Sequence, residues 1–191
     1  MNTIAFNTLV TLGVLASLNF LSCYPFAFLG KRPREPIVTK PFTMHEIDTF
    51  VKDHYIGEDA LSFTFDFEVD LRPLFNWNTN LVFVYLSCEY TTPKSKFNKV
   101  TIWDQRVPRD TPEHHVIRLT NEYPEYYLTD ANYQLRDTDV QCYLNWEQMP
   151  IAGLNYGGRM LVKEFRTPKN YMKSSAKRKY APGPENREYN Y

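Results

Sequence analysis

The sequence is poor in cysteine and glycine, and these scarcities exclude several kinds of site. Its 191 residues contain three cysteines and seven glycines. No two cysteines stand in the C-x-x-C spacing of a zinc site, so no structural metal is expected. Gly157 and Gly158 do not open a helix after a strand, which excludes a phosphate-binding loop. No Asn-x-Ser/Thr acceptor occurs, so N-linked glycosylation is not expected either.

The chain also lacks a net charge. Lys and Arg number 22 against 22 Asp and Glu, so no overall field favours a nucleic acid or an acidic substrate. The charge is unevenly distributed, because residues 166–191 hold seven basic and two acidic residues. This segment is rich in Lys, Ser, Pro and Asn and nearly free of aliphatic residues. It is predicted to be a basic, disordered tail.

No arrangement of nucleophile, base or metal ligands emerges from the sequence. On a strand, the adjacent His114 and His115 would point to opposite faces, so they cannot chelate one ion. Asp66, Glu68 and Asp70 share one face of a predicted strand, and a solvated acidic face is favoured over a calcium site. The serines have no G-x-S-x-G context. The sequence therefore predicts no catalytic residue, no metal and no cofactor.

A long uncharged run lies near the N-terminus. The 26 residues of Ile4–Leu29 include no Asp, Glu, Lys, Arg or His. A helix of that length extends about 39 Å, more than the ~30 Å hydrocarbon core of a bilayer. Because no basic segment precedes it, a retained transmembrane anchor over residues 1–30 is favoured over a cleaved signal peptide. The cations that follow would, by the positive-inside rule alone, leave the rest of the chain in the cytosol: Lys31, Arg32, Arg34 and Lys40.

The segments after the anchor are less regular. Residues 31–41 contain three prolines and are predicted to form an extended spacer. Thr43 with Glu46, and Phe42 with Ile47, then form the signature of a helix N-terminus. A short helix over residues 42–52 is favoured, and an irregular edge strand is the alternative.

Two neighbouring stretches define the predicted core. Leu61–Leu71 alternates apolar and polar residues, which indicates a half-buried strand, whereas Leu81–Leu86 is continuously apolar, which indicates a strand covered on both faces. Helical crossovers are absent, so residues 42–165 are predicted to form a mainly β, antiparallel sandwich. Further strands are predicted at 99–104, 114–119, 126–129, 140–147 and 158–165.

Cys88, Trp103 and Cys142 follow the Cys…Trp…Cys order of immunoglobulin domains. Val140, however, stands where a tyrosine corner requires Tyr. Cys88 and Cys142 are either a disulfide or, as we favour, two buried thiols. A membrane-anchored or secreted immunoglobulin-like binding module is therefore an alternative interpretation of the whole chain.

Trp77 lies in the polar connection Asn76-Trp77-Asn78, between the two predicted core strands. A tryptophan there either folds back onto the sheet, which we favour, or faces a partner.

Three blocks of the sequence resemble the family of subunit 3 of the eukaryotic signal peptidase complex. The resemblance covers the anchor and about residues 60–150, and the blocks around Trp77 and Trp103 are its specific part. The blocks are Phe65-x-Phe67-x-x-Asp70-Leu71-x-x-Leu74-Phe75-Asn76-Trp77-Asn78, Leu81-x-Phe83-x-Tyr85-Leu86-Ser87-x-Glu89-Tyr90 and Asn98-x-Val100-x-x-Trp103-Asp104.

The resemblance implies a non-catalytic, single-pass protein of the endoplasmic-reticulum membrane. Its N-terminus is then cytosolic, and a lumenal sandwich packs on the catalytic serine-protease subunit and supports signal-peptide removal. The implied partners are that subunit, the other subunits of the complex and the membrane, with no nucleic acid. The motif residues become candidates for structural or subunit contacts: Phe75, Asn76, Trp77, Asn78, Trp103 and Asp104.

Overall fold

The computed structural model describes residues 3–23, 34–53 and 57–172. One helix, α1 (Thr3–Cys23), precedes eight strands, and short 3-10 helices occupy Arg72–Leu74 and Pro112–His115. The strands are β1 (Ile37–Asp53), β2 (Glu58–Asp70), β3 (Thr79–Tyr90), β4 (Asn98–Pro108), β5 (Val116–Glu122), β6 (Leu128–Asp130), β7 (Asp139–Pro150) and β8 (Tyr156–Arg166).

The strands form two four-stranded sheets. In the first sheet β2 lies between β1 and β5 and also pairs with β6; the second has the order β4-β3-β7-β8. The pairings within both sheets are antiparallel. The predicted mainly β, antiparallel class is therefore confirmed, and short connections without helical crossovers are its physical basis.

The core lies between the two sheets and follows the alternation of β2. Phe63, Phe65 and Phe67 are almost completely buried, and they belong to one apolar cluster with Val82 and Val84 of β3. Such burial of large aromatic and aliphatic side chains is the main source of folding free energy. The half-buried strand predicted over 61–71 is confirmed on this inward face.

The outward faces differ from the prediction. Ser62 and Thr64 of β2 are buried rather than solvated. On β3, Leu81, Phe83 and Tyr85 are only half-buried, so this strand is fully covered on its inward face alone. The apolar run did not reveal this difference, because outward and inward aromatic residues look the same in a sequence. The outward ones here are Phe83 and Tyr85, whose rings are stacked.

The helix predicted over 42–52 is wrong, because this segment belongs to β1. β1 pairs with β2 from Ile37 to Asp53, with four shifts of register along its length. Each bulge moves the following side chains to the other face, which erases the two-residue period from the sequence. The alternative of an irregular edge strand is the correct one.

The packed domain is longer at both ends than the predicted 42–165. β1 begins at Ile37, inside the predicted spacer, of which residues 31–33 lie outside the described residues. At the other end Thr167 is buried, and Phe50 and Met172 exchange two backbone hydrogen bonds of 2.9 and 2.6 Å. The start of the predicted tail is therefore ordered, and residues 173–191 lie outside the described part.

Helix α1 coincides with most of the predicted anchor, whose last residues lie outside the described range. Three hydroxyl groups, those of Thr8, Thr11 and Ser17, donate to carbonyls four residues earlier, at 2.8–2.9 Å. Within the residues that the structure describes, no helix combines the length and the apolar character of a candidate membrane span.

Cys88 and Cys142 form a disulfide, so the favoured interpretation of two thiols is wrong. The two residues are directly opposite each other on β3 and β7, which are neighbours in one sheet. In immunoglobulin domains the disulfide joins the two sheets instead. The position of the bond thus also argues against the immunoglobulin-like alternative.

Candidate functional site

The residues Phe75–Asn78 form a corner between the two sheets. The chain leaves β2 at Asp70, makes one 3-10 turn at Arg72–Leu74, and enters β3 at Thr79. The guanidinium of Arg72 bonds the Asp70 carboxylate at 2.6–3.0 Å, and this interaction holds the pKa of Asp70 below its usual range. The start of the corner is therefore held by a local ion pair that keeps the carboxylate charged.

Asn76 closes the turn with its side chain. Its Oδ1 accepts hydrogen bonds from the backbone N–H groups of Asn78 and Thr79, at 2.8 and 3.0 Å. This is the geometry by which asparagine substitutes for a backbone turn. Its Nδ2 donates to the hydroxyl of Tyr156 at the start of β8, 3.1 Å away. One side chain thus shapes the corner and connects it to a strand 80 residues later.

Asn78 attaches the corner to the turn between β7 and β8. Its side chain is 1% exposed. Nδ2 donates to the carbonyl of Ala152 at 2.7 Å, and Oδ1 accepts from the Ala152 N–H at 3.1 Å. The backbone carbonyl of Asn78 accepts a further bond from Ile151 N at 2.7 Å. These three bonds satisfy a buried amide and hold the start of the 151–155 turn, at Ile151 and Ala152.

Phe75 packs on the third loop at this end of the sandwich. Its ring stacks on that of His115, with centroids 3.8 Å apart and planes 9° from parallel. The His115 ring is buried, and its Nε2 is hydrogen-bonded to the carbonyl of Pro108 at 3.1 Å. Phe75, Asn76 and Asn78 are therefore structural residues that hold three loops together.

Trp77 is the exception in this block, because 54% of it is exposed. The favoured prediction that it folds back onto the sheet is wrong. Its backbone is fixed by Arg109, whose Nη1 donates to the Trp77 carbonyl at 2.5 Å. The adjoining turn held by Asn78 exposes 66% of Ile151 and 70% of Leu154. We call Trp77, Ile151 and Leu154 the corner patch.

The two remaining candidates from the sequence are not part of the corner. Trp103 is 1% exposed and pairs with Leu86 of β3, so it is a core residue. Asp104 pairs with Tyr85 on the outward face of the same sheet. The six sequence candidates therefore separate into the corner, one core residue and one residue of the outward face.

Sequence reasoning missed Ile151, Leu154 and Arg109. A detectable signal existed for the first two, since apolar residues in a turn that contains Gly153 have no strand to cover them. Arg109 offered no signal, because its bond to Trp77 joins residues that are 32 positions apart.

The acidic face of β2 is a row of separate ion pairs. Asp66 binds Lys40 Nζ at 2.6 Å and His45 Nε2 at 2.9 Å, and these bonds with that of the Asn121 N–H hold its pKa well below the usual range. Glu68 faces Arg118 at 3.4 Å. Throughout the described ranges, no group of three or more Asp, Glu, His or Cys side chains is arranged to hold a metal ion.

An open groove of about 950 Å³ lies at the opposite end of the sandwich. Its walls include Tyr90, Phe97, Gln134 and Asp137, and none of the sequence candidates. The Tyr90 hydroxyl donates to the carbonyl of Thr129 at 2.5 Å, and burial raises its pKa. The hydroxyl therefore remains a neutral structural donor and does not supply acid–base chemistry near neutral pH.

Comparison with known proteins agrees with the motif blocks. A family model described as signal peptidase subunit matches residues 1–170. Signal peptidase complex subunit 3 of Drosophila melanogaster is 32% identical over 167 residues, which cover 86% of this chain and 92% of that protein. The proteins of the same name from Gallus gallus and Dictyostelium discoideum are 30% and 28% identical, over 75% and 88% of this chain and 79% and 95% of their own lengths.

Proposed function

The chain belongs to the signal peptidase subunit family, and we propose that it is a non-catalytic subunit of a signal peptidase complex in the endoplasmic-reticulum membrane. In this proposal its β-sandwich packs on the catalytic subunit and supports cleavage of signal peptides from secretory precursors. The match of the family model to residues 1–170 carries the proposal.

The contacts of Ser87, His115 and His45 support a non-catalytic role. Ser87 is completely buried, and its hydroxyl accepts a 2.8 Å bond from Asn145 Nδ2. His115 is stacked on Phe75, and His45 is bonded to Asp66 on the surface. A nucleophile requires an accessible hydroxyl within hydrogen-bond distance of a base, and these three side chains serve packing and ion pairing instead.

The disulfide supports a lumenal position of the sandwich. Disulfide bonds persist in the lumen of the endoplasmic reticulum and are rare in the reducing cytosol. The bond between Cys88 and Cys142 therefore outweighs the cations after the anchor, which alone would favour the cytosol. The N-terminus is then cytosolic.

We further propose that α1 and the residues after it anchor the chain in the membrane. Leu9, Leu12, Leu15 and Leu18 are 57–67% exposed, so these apolar side chains are not covered by the rest of the chain. The helix-internal bonds of Thr8, Thr11 and Ser17 satisfy their hydroxyl donors without water, as a bilayer requires.

Co-purification tests the complex. A tagged full-length chain, isolated in mild detergent, is expected to bring down a signal peptidase catalytic subunit. A matched chain with the same tag on α1 but without residues 34–172 is the control, because it retains the proposed anchor and lacks the sandwich. Retention of the catalytic subunit by the control, or its absence from both samples, contradicts the proposed packing.

Protease protection in sealed microsomes tests the orientation. The sandwich is expected to resist added protease until detergent opens the vesicles. In the denatured chain, Cys88 and Cys142 are expected to react with a maleimide only after reduction, because both are buried in the folded sandwich. Digestion of the sandwich in intact microsomes places it in the cytosol and overturns the lumenal assignment, whatever the result of the co-purification.

A further inference from the structure

The corner patch, formed by Trp77, Ile151 and Leu154, is a concentration of exposed apolar side chains at one end of the sandwich. Their exposed fractions are 54, 66 and 70%. Ile37, the first residue of β1, is 53% exposed and lies at the same end, opposite Asp70. Exposed apolar clusters on a folded domain mark surfaces that contact a membrane or another protein.

Hydrogen bonds hold the backbone of the patch at two places. Asn78 bonds both backbone groups of Ala152, next to Ile151, and Arg109 bonds the carbonyl of Trp77. Since the backbone is already ordered, little conformational entropy is lost when these side chains are buried. The ordered backbone therefore favours binding of a partner or a membrane at this surface.

The path of the chain indicates what covers it. Residues 24–33 separate α1 from the described start of the domain at Arg34, and ten residues reach at most roughly 40 Å. β1 begins at the end of the sandwich that carries the patch. The opposite end is farther from the tether by the length of a strand such as β3, about 40 Å for its 12 residues. The corner patch thus lies at the end of the sandwich to which the tether is attached.

We infer that the corner patch docks on the phospholipid surface of the membrane that holds α1, with Trp77 at the level of the headgroups. Tryptophan is the side chain most enriched at that level, since its ring is apolar and its N–H is polar. Ile151 and Leu154 enter the boundary of the acyl chains beside it. The inference rests on the proposed role of α1 as an anchor.

The charges at this end predict the lipid preference. Among the described residues at this end, three cations accompany four carboxylates, so this part of the domain has no excess of positive charge: Arg34, Arg72 and Arg109 with Glu35, Asp70, Asp110 and Glu113. Docking is therefore driven by apolar burial, and zwitterionic phosphatidylcholine suffices. Anionic lipid is not expected to strengthen it, in contrast to polybasic membrane-binding segments.

Quenching of tryptophan fluorescence tests the inference on the full-length chain. The chain is reconstituted into phosphatidylcholine vesicles, with or without bromine on the acyl carbons nearest the headgroup. The difference between the native chain and Trp77→Phe isolates the emission of Trp77, because Trp103 and Trp146 are buried. This emission is expected to lie at shorter wavelength than that of exposed tryptophan and to be lost in the brominated vesicles, equally with and without anionic lipid.

Two variants separate docking from simple proximity. Replacement of both apolar neighbours, Ile151→Asp with Leu154→Asp, is expected to abolish the quenching of Trp77 while the chain still floats with the vesicles. Phe97→Asp is the matched control, because Phe97 is 66% exposed and lies at the opposite end; it is expected to leave the quenching unchanged. Equal quenching in both variants overturns the inference.

The remaining outcomes distinguish docking of the corner patch from anchoring of the chain by α1. A chain that floats with the vesicles but shows no quenching of Trp77 overturns the docking and leaves the anchor intact. A chain that does not float contradicts the anchor itself, and the docking with it. If quenching is present in the isolated chain but is lost in the assembled complex, a protein subunit covers the patch, which overturns lipid docking in the working enzyme.

Discussion

The side-chain amide of Asn78 holds the backbone of Ala152 on both sides. Nδ2 donates to the Ala152 carbonyl at 2.7 Å, while Oδ1 accepts from its N–H at 3.1 Å. A side-chain amide carries its donor and its acceptor on two separate atoms, so it can bond the N–H and the C=O of one residue at the same time. Two loops that are 74 positions apart in sequence are thereby joined below the corner patch.

Asn78→Ala is expected to lower the free energy of unfolding by about 2 kcal/mol, because both groups of Ala152 lose their partner. The measurement is denaturant unfolding followed by near-UV circular dichroism. Asn155→Ala, an exposed position in the same turn, is the control and is expected to change little. A similar loss in both variants would mean that the amide bonds do not stabilise the corner.

Replacement of both disulfide cysteines by alanine is expected to lower stability by about 4 kcal/mol, from the entropy of closing a loop of this length. The two positions are 54 residues apart and completely buried. Thermal unfolding of the oxidised native chain, the reduced native chain and the double variant provides the measurement. Equal melting temperatures with and without reductant would contradict the expectation.

The pH dependence of stability is expected to include a contribution from Asp66. The pKa of Asp66 in the folded state lies well below its usual range, owing to bonds from Lys40 and His45. The folded state thus binds fewer protons, so the stabilisation is complete above about pH 4 and is lost as the pH falls below that value. Asp66→Asn should flatten this acid limb in unfolding curves, whereas Asp110→Asn, an exposed control, should preserve it.

Tyr171 is expected to ionise late and to hold the segment after β8 on the first sheet. Burial, then its 2.6 Å bond to Asp59 Oδ1, raises the pKa of Tyr171 to about 12. Stability from the neutral phenol is therefore complete below pH 10, the ordinary tyrosine pKa, and is lost as the pH rises to about 12. Absorbance titration should show late phenols that include those of Tyr171 and Tyr90, since the pKa of Tyr90 is also raised. Tyr171→Phe should remove one late phenol from the native count, and Tyr126→Phe should remove none. An unchanged number of late phenols in Tyr171→Phe would contradict the assignment.

Much of the fold could be predicted because the relevant information is local. The alternation of Leu61–Leu71 identifies the inward face of β2, and the absence of helical crossovers predicts antiparallel sheets. β1 escaped prediction because its bulges are set by pairing with β2, which no local pattern records. Likewise, the ordering of residues 167–172 depends on a contact between Phe50 and Met172.

The sequence identified the motif residues of the candidate site but not the direction in which each side chain faces. The motif Phe75-Asn76-Trp77-Asn78 indicated a structural corner or a contact surface without separating the two roles. The structure separates them, since the two asparagines and Phe75 face inward to other loops, whereas Trp77 faces outward. Trp103, equally prominent in the sequence, is a core residue.

The sequence by itself determined the β class, the apolar face of β2, the uncharged N-terminal run and the family to which the chain belongs. These properties depend on the order of neighbouring residues, and local chemistry is enough to reveal them. The tertiary structure decided that Cys88 is bonded to Cys142 and that Trp77 is exposed beside Ile151 and Leu154. Both depend on pairings between residues more than 50 positions apart, and only the folded sheets bring such residues together.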